Sequence, residues 1–456
     1  MERFLLQNSV SAQAIEIMNG LLLTCLIAAA PVDSISQQPL VVTLEEALKI
    51  ALSENVSVKV ADQEIVRTKY AKKGTYAALF PQIDASASYQ RTIKKQMMYM
   101  DVPIPGMEKD GFEVGRWNTW NVGVSAAMPL VNAALWKSIQ ISGDDVELAV
   151  EKARGSRLET VGQVKSAYYG VLLAKELAEV YRQVYENAVQ NLDKTQKRSN
   201  AQKASELDLV RAKTAVANAI PNLYDSQNTI FITLWRLKAV MGIDLDLDMD
   251  VAGRLSDYAD SMLPEIRDYA DADLSYNSSL RQLEIQADQL AKTVQLQTAA
   301  YIPTLSLAFS YSLNALQNDF NFSEYKWSPY SYVGLSLQIP IFSGGKRYYN
   351  LRQAKVRSTE LGMQREETER QLRIAIRNSV NSMETAVKTY SSAIAAQESA
   401  QKAYDIAAKS YELGRSTLTD LSDAQLALVQ AQLSVNQAVY SYVSAKAELE
   451  QILGKE

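Results

Sequence analysis

Pro303-Thr304-Leu305-Ser306-Leu307-Ala308-Phe309-Ser310-Tyr311-Ser312 alternates apolar and polar residues with the period of two that belongs to a strand. Leu305, Leu307, Phe309, Tyr311 and Leu313 would share one face, and Thr304, Ser306, Ser310 and Ser312 the other. Pro81-Gln82-Ile83-Asp84-Ala85-Ser86-Ala87-Ser88-Tyr89-Gln90 has the same rhythm, with Ile83 and Tyr89 on its apolar side. Each stretch has a partner downstream. Trp120, Val122, Val124, Ala126 and Met128 line one face of 118–128, and Val333, Leu335, Leu337 and Ile339 one face of 331–339. A strand of about ten residues, tilted near 45°, crosses a hydrocarbon layer. Small polar residues on one face and large apolar ones on the other suit a barrel with a wet lumen and a lipid-facing wall. Taken alone, the same strands fit two hairpins of an ordinary sheet with the apolar face on a core.

Composition removes whole classes of chemistry. The 456 residues contain no His and one Cys. That excludes His-based acid–base catalysis, Ser-His-Asp and Cys-His triads, the usual zinc sites and any intrachain disulfide. Lys and Arg total 47 against 52 Asp and Glu, so a nucleic-acid footprint is missing. No acid–base pair, cofactor loop or nucleophile elbow stands out, so the expectation is a non-enzyme without cofactor or metal. Gly and Pro are scarce, at 18 and 11, as long helices require. Near the N-terminus, Leu21-Leu22-Leu23-Thr24-Cys25-Leu26-Ile27 is too short for a spanning anchor and reads as the core of a signal peptide within 1–36. Thr24 before Cys25 makes a poor lipoprotein box.

The chain is one unit written twice. Leu79-Phe80-Pro81 answers Tyr301-Ile302-Pro303, where 303 − 81 = 222, and Asn55 answers Asn277 at the same offset. Val122-Gly123-Val124-Ser125 with Pro129 answers Val333-Gly334-Leu335-Ser336 with Pro340, where 340 − 129 = 211, so the first hairpin loop is the longer one. Such repeats decide fold assignments. Unit one is placed at 37–240, a connector at 241–262, and unit two at 263–456. Each reads helix, strand, loop, strand, very long helix, break, helix. The strands fall at about 82–92, 117–128, 304–313 and 330–339. The long helices fall at about 133–199, 204–240, 346–412 and 417–453. A first helix over 44–78 opens on a capping box, Thr43 with Glu46. Asn132 and Ser343 stand where N-caps would be, and Gly344 and Gly345 after Pro340 give unit two its sharp strand-to-helix turn.

Leu372, Ile376, Ser379, Met383, Ala386, Tyr390, Ala393, Gln397, Ala400, Tyr404, Ala407 and Tyr411 step by four and three, a coiled-coil seam. Val161 to Leu192 carries a similar seam with one slip near Ala174. A helix over 346–412 would be about 100 Å long, more than any compact domain needs. The seam is rich in Ala and Ser, so neighbouring helices can approach closely. Pro221 should kink or break the return helix of unit one. Asp244-Leu245-Asp246-Leu247-Asp248 lacks the Gly and Glu of a calcium loop, and Gly344-Gly345-Lys346-Arg347 lacks the first Gly of a phosphate loop.

Four strands cannot close a membrane barrel, so closure needs several chains. Two chains would give about eight strands and a filled interior, whereas three would leave a lumen. Tyr89, Trp117, Trp120, Tyr311, Trp327, Tyr330 and Tyr332 near the strand ends are candidates for an interfacial girdle.

The duplicated unit, Pro340-Ile341-Phe342-Ser343-Gly344-Gly345, and Tyr411-Glu412-Leu413-Gly414-Arg415-Ser416-Thr417-Leu418-Thr419-Asp420-Leu421-Ser422-Asp423-Ala424 resemble the TolC-like outer-membrane efflux proteins over nearly the whole chain, from Val42 to Gly454. The resemblance implies a mostly α protein with a β-barrel portion, a homotrimer of four strands per chain continued by a periplasmic α-helical tunnel. It implies a passive exit duct that meets outer membrane lipid, a periplasmic adaptor (membrane fusion) protein and an inner-membrane pump of RND or ABC type. The helix turns at Gln202-Lys203 and Gly414-Arg415 would lie at the periplasmic tip. There the resemblance makes Asp420 and Asp423 aperture carboxylates, Asp208 their partner in unit one, and Tyr411 a gate contact. Six carboxylates around one constriction would select cations, and crowding would raise some of their pKa values. The sequence departs from the family pattern in placing Arg415 directly after Gly414 and Gln202 where a Gly is expected. The rival reading is a periplasmic coiled-coil tether without a pore, which explains the helices but not the strands.

Overall fold

The computed structural model describes residues 40–99, 112–262 and 273–455. The signal-peptide reading and Cys25 lie outside them. β1 (Leu40–Val42) leads into α1 (Leu44–Glu54) and α2 (Val56–Ala77). Then come β2 (Gln82–Arg91), a small hairpin of β3 (Gln96–Met98) and β4 (Phe112–Val114), and β5 (Asn118–Val131). The helices α3 (Ala133–Asn200) and α4 (Glu206–Met241) finish the first unit. After β6 (Met249–Val251) and a 3-10 segment (Leu255–Met262), unit two runs α5 (Ser278–Ala299), β7 (Thr304–Gln317), β8 (Ser328–Gln338), α6 (Lys346–Glu412) and α7 (Leu418–Ile452). At 68 and 67 residues, α3 and α6 are each about 100 Å long.

The sheet is antiparallel in the order β2-β5-β7-β8, so the two hairpins join through β5 and β7. Its register puts the apolar residues of all four strands on one face. Tyr89 is opposite Trp120, Val122 opposite Leu313, Phe309 opposite Val333, Leu307 opposite Leu335, and Leu305 opposite Leu337. Among the described residues no core covers that face: Ile83, Val333, Leu335 and Leu337 are 69, 70, 68 and 61% exposed. The ordinary-sheet reading fails there, because a core-packed face would be buried. The other face is small and polar, with Ser125 opposite Ser310 and Ser306 opposite Ser336. Tyr330 and Tyr332 belong to it, opposite Ser312 and Ser310. Those two therefore leave the proposed girdle, because strand parity turns them away from Val333.

The helical seam is as the heptads predict. Every seam position from Leu372 to Tyr411 is buried or half-buried. The largest apolar core gathers around the middle of α3, where Val164, Tyr168, Val171 and Leu172 meet Leu237, Met241, Leu255, Val439 and Val443. β1 and β6 pair in parallel against it. The Tyr168 hydroxyl donates to the Ala252 carbonyl at 2.6 Å, and burial pushes its pKa up to about 12.

Several local expectations change. The helix over 44–78 is two helices, parted at Asn55, which N-caps α2 by accepting from Ser57 and Val58. Asn132 does cap α3, accepting from Leu135 at 3.0 Å. Ser343 does not cap α6. Gly345, with φ 85°, stands at that N-cap, and the Ser343 hydroxyl accepts from Arg347 Nε at 3.1 Å instead. A left-handed backbone there excludes the extended conformation that a serine cap needs. Pro221 sits inside an unbroken α4. It and Ala217, whose carbonyl it leaves without a partner, are both exposed, so water can take that bond.

The repeat match between Asn55 and Asn277 has a structural cause. Asn277 N-caps α5 and its Nδ2 donates to the Ile452 carbonyl at 2.7 Å, at the end of α7. Asn55 Nδ2 donates to the Val240 carbonyl at 2.7 Å, at the end of α4. One amide thus satisfies the start of one helix and the end of another. It stacks α4 onto α2, and α7 onto α5, beside the continuous α3 and α6. The stacking is tight: a Cβ on Gly242 would meet the Glu54 carbonyl, and one on Gly454 the Tyr276 carbonyl.

The long helices end on two matching turns. Gly414 (φ 74°) and Gln202 (φ 59°) occupy the same left-handed position. The amides of Arg415 and Lys203 reach back to the Ser410 and Arg198 carbonyls, each at 2.8 Å, which closes a Schellman motif.

Two predictions follow from these caps. Asn277→Asp keeps the capping oxygen but loses the donor and sets a negative charge at the negative end of α7, so it should destabilise by about 1–3 kcal/mol. Asn277→Ser, which also keeps a cap and adds no charge, should cost less; wild-type melting of both variants, followed by circular dichroism, would show that the donor adds nothing. Gln202→Gly should stabilise by about 0.5–1 kcal/mol, since only Gly adopts positive φ freely, whereas Gly414→Ala should destabilise by a similar amount. Chemical denaturation of the two variants checks the pair.

Candidate functional site

The two turns and the helices they join build the tip. Each return helix starts on a capping box, and the boxes repeat at one offset: 417 − 205 = 212 and 420 − 208 = 212. Thr417 donates to Asp420 Oδ2 from its amide at 2.8 Å and from its hydroxyl at 2.7 Å. Ser205 does the same to Asp208 Oδ2, at 3.3 and 2.7 Å. These bonds, the Thr417 amide first, hold the Asp420 carboxyl below the usual carboxylate range. The raised values expected from crowding belong to a ring formed by three chains; within one chain, capping sets the direction. Asp420 remains exposed, as does Asp423 one turn further on.

Tyr411 is the centre of the tip contacts. It is 5% exposed and its hydroxyl shares a 2.6 Å bond with the hydroxyl of fully buried Thr195 on α3. The Arg198 guanidinium lies over its ring, 4.9 Å from the centroid, and donates to its carbonyl. Leu418 and Leu421 pack against Tyr411 and Ala212 in a small apolar cluster of their own. Arg211 Nη1 on α4 reaches Thr419 Oγ1 at 3.3 Å, and Gln425 on α7 reaches the Val184 carbonyl at 3.5 Å. All four polar links run between the α3–α4 pair and the α6–α7 pair.

Tyr411, Asp420, Asp208 and Gly414 lie at the same end of the bundle, where the two helix turns sit. Arg415 contributes its backbone to the turn while its side chain stays exposed, and within the chain Arg198 is the cation on Tyr411. Thr195, Arg198 and Arg211 were missed. Thr195 was legible: the seam steps 185, 188, 192 continue to 195. Arg198 was not, since Lys197 and Arg198 in a last helical turn read as ordinary complements to the helix dipole. The other candidate residues lie elsewhere. Pro340, Gly344 and Gly345 make the strand-to-helix turn, and Ile83 to Leu337 the apolar sheet face. Trp120 of that face is partly covered by the β7–β8 loop, with the Phe322 ring 5.0 Å away.

Comparison with known proteins agrees with this architecture. The sequence profile of the family described as Outer membrane efflux protein matches residues 47–243 and 271–455. The chain is similar to the outer membrane protein TolC of Vibrio cholerae, 21% identical over 342 residues, covering 73% of this chain and 76% of that one. It is also similar to the alkaline protease secretion protein AprF of Pseudomonas aeruginosa, 23% identical over 413 residues, covering 89% and 83%. Among solved structures, the CmeC outer membrane channel of Campylobacter jejuni superposes with a TM-score of 0.72 at 18% identity, covering 90% of this chain and 85% of that one. With its profile match spanning both repeat units, the chain belongs to the outer membrane efflux protein family.

Proposed function

We propose that this outer membrane protein is the passive exit duct of an efflux or secretion system. Three chains close one barrel, β8 of each pairing with β2 of the next, and the helices carry the tunnel into the periplasm. The tip meets a periplasmic adaptor, which couples the duct to an inner-membrane pump. The observation that carries this reading is the sheet: an exposed apolar face over small polar residues, with β2 and β8 at its ends. In hydrocarbon such edges must find partners. The family description, an outer membrane efflux protein, and the relative named for alkaline protease secretion support a duct and leave its cargo open.

The tip is the gate on this reading. The bonds of Tyr411, Thr195, Arg198 and Arg211 tie the two helix pairs of one chain together, and opening would separate them. Asp420 and Asp423 of three chains ring the aperture, with Asp208 beside them. Because the Asp420 pKa is depressed, its share of tip stability is present above the ordinary carboxylate range. That share is lost as pH falls through the lowered value.

Planar-bilayer recording of the detergent-extracted protein, with its mass in the same detergent, tests the duct. A trimer that conducts and prefers cations is expected; a water-soluble, non-conducting oligomer would return the molecule to the tether reading. Tyr411→Phe leaves the buried Thr195 hydroxyl unpaired at about 1–3 kcal/mol, so open probability should rise roughly 5- to 150-fold. Asp420→Asn with Asp423→Asn, which keeps a capping oxygen, should weaken block by multivalent cations; undiminished block would remove these residues from the aperture.

A further inference from the structure

The chain is acidic overall, with formal charge −5, yet the segments where helices meet strands carry no acid at all. Between Glu64 and Asp84 stand Arg67, Lys69, Lys72 and Lys73. Between Pro340 and Glu360 stand Lys346, Arg347, Arg352, Lys355 and Arg357. Arg67, at the edge of the first segment, pairs with Glu64. Among the described residues Lys69, Lys72, Lys73, Lys346 and Lys355 have no carboxylate partner. Lys73 instead lies 5.2 Å from the Tyr70 ring centroid, and Arg352 5.4 Å from that of Tyr348.

The α2 lysines line a built groove. It has a volume of about 480 Å³ and is bounded by Lys69, Lys72 and Lys73 together with Val66, Val146, Tyr70 and Tyr76. Ammonium groups on an apolar and aromatic lining suit an anion that carries hydrocarbon, whereas a free anion has no use for the lining. The groove lies just below the exposed sheet face. Phe80 beside Ile83 marks one boundary and Ile341 with Phe342, 90 and 87% exposed, the other. Lys73 precedes Pro81 by eight residues, about 12 Å of helix, which places its charge within a Debye length or so of a headgroup plane. Clusters of Lys and Arg beside a membrane attract anionic lipid at about 1 kcal/mol each.

We propose that this groove binds the headgroup of an anionic glycerophospholipid from the periplasmic leaflet. The cations of α6 complete the site where β8 of one protomer meets β2 of the next. The inference rests on the trimeric duct. It also answers a difficulty of that duct: closure sets Lys69, Lys72 and Lys73 beside Lys346, Arg352 and Lys355, and like charges repel unless a shared anion lies between them.

The test uses the full chain, stripped of lipid by detergent washing, and its thermal melting with added phosphatidylglycerol, phosphatidylcholine of the same chain length, or inorganic phosphate. Phosphatidylglycerol alone should raise Tm by several degrees, and 0.5 M salt should abolish most of the shift. The triple variant Lys69→Gln, Lys72→Gln, Lys73→Gln should lose it. An equal shift with phosphatidylcholine or phosphate, or an unchanged shift in the variant, overturns the proposal. Should the variant fail to assemble, the wild-type protein decides: anionic lipid should co-purify at least twofold enriched over the membrane, and its absence, or an acidic polypeptide in its place, counts against the site. A conducting trimer without lipid preference removes the site and leaves the duct; a soluble, non-conducting oligomer removes both.

Discussion

A backbone amide in hydrocarbon has no water to turn to, and that constraint organises the molecule. The sheet satisfies its inner strands, β5 and β7, within the chain and ends at β2 and β8. Among the described residues its apolar face is largely bare, with Ile83, Val333, Leu335 and Leu337 mostly exposed. On the trimeric reading proposed above, both facts describe a fragment of a closed surface. Strands of this kind cannot be stabilised by a core of their own, so the order of the sheet depends on neighbours and on lipid.

The helices continue what the strands begin. Their seam of Ala, Ser and Tyr gives thin walls and close approach, and leaves little apolar area to hold the bundle. Stability is concentrated instead around the middle of α3, where β1, β6 and the 3-10 segment add a second layer and bury Tyr168, Leu237 and Met241. Above and below that level the wall is a single layer of helices. The two stacked pairs, α4 on α2 and α7 on α5, are joined there by one side-chain amide each. A joint made of hydrogen bonds and glycines, beside helices that run through unbroken, separates the part of the wall fixed by the sheet from the part that ends at the tip.

At the tip, capping and the proposed gate draw on the same residues. Asp420 and Asp208 are first of all the acids that start α7 and α4, and the hydrogen bonds that cap those helices also hold the Asp420 charge in place. The links between the helix pairs are few, two aromatic or hydroxyl contacts around Tyr411 and two longer polar ones. Such a set is strong enough to favour one arrangement and weak enough to be exchanged for another.

The sequence by itself determined much of this. Period-two alternation placed the strands and their faces, because a side chain's face in a sheet follows from parity alone. The heptad steps placed the long helices, and the offset of 222 paired Asn55 with Asn277 before their role was visible. Capping boxes at Thr43 and Thr417 follow from local chemistry and were equally legible. Only the tertiary structure decided the rest. The break at Asn55 depends on a carbonyl 185 residues away. Gln202 takes a glycine's conformation because the turn is fixed by the helices on either side. Pro221 is tolerated because its face is exposed, and Arg198 lies on Tyr411 because α3 lies beside α6. Each of these depends on which distant backbone is near, and no local pattern of residue types records that distance.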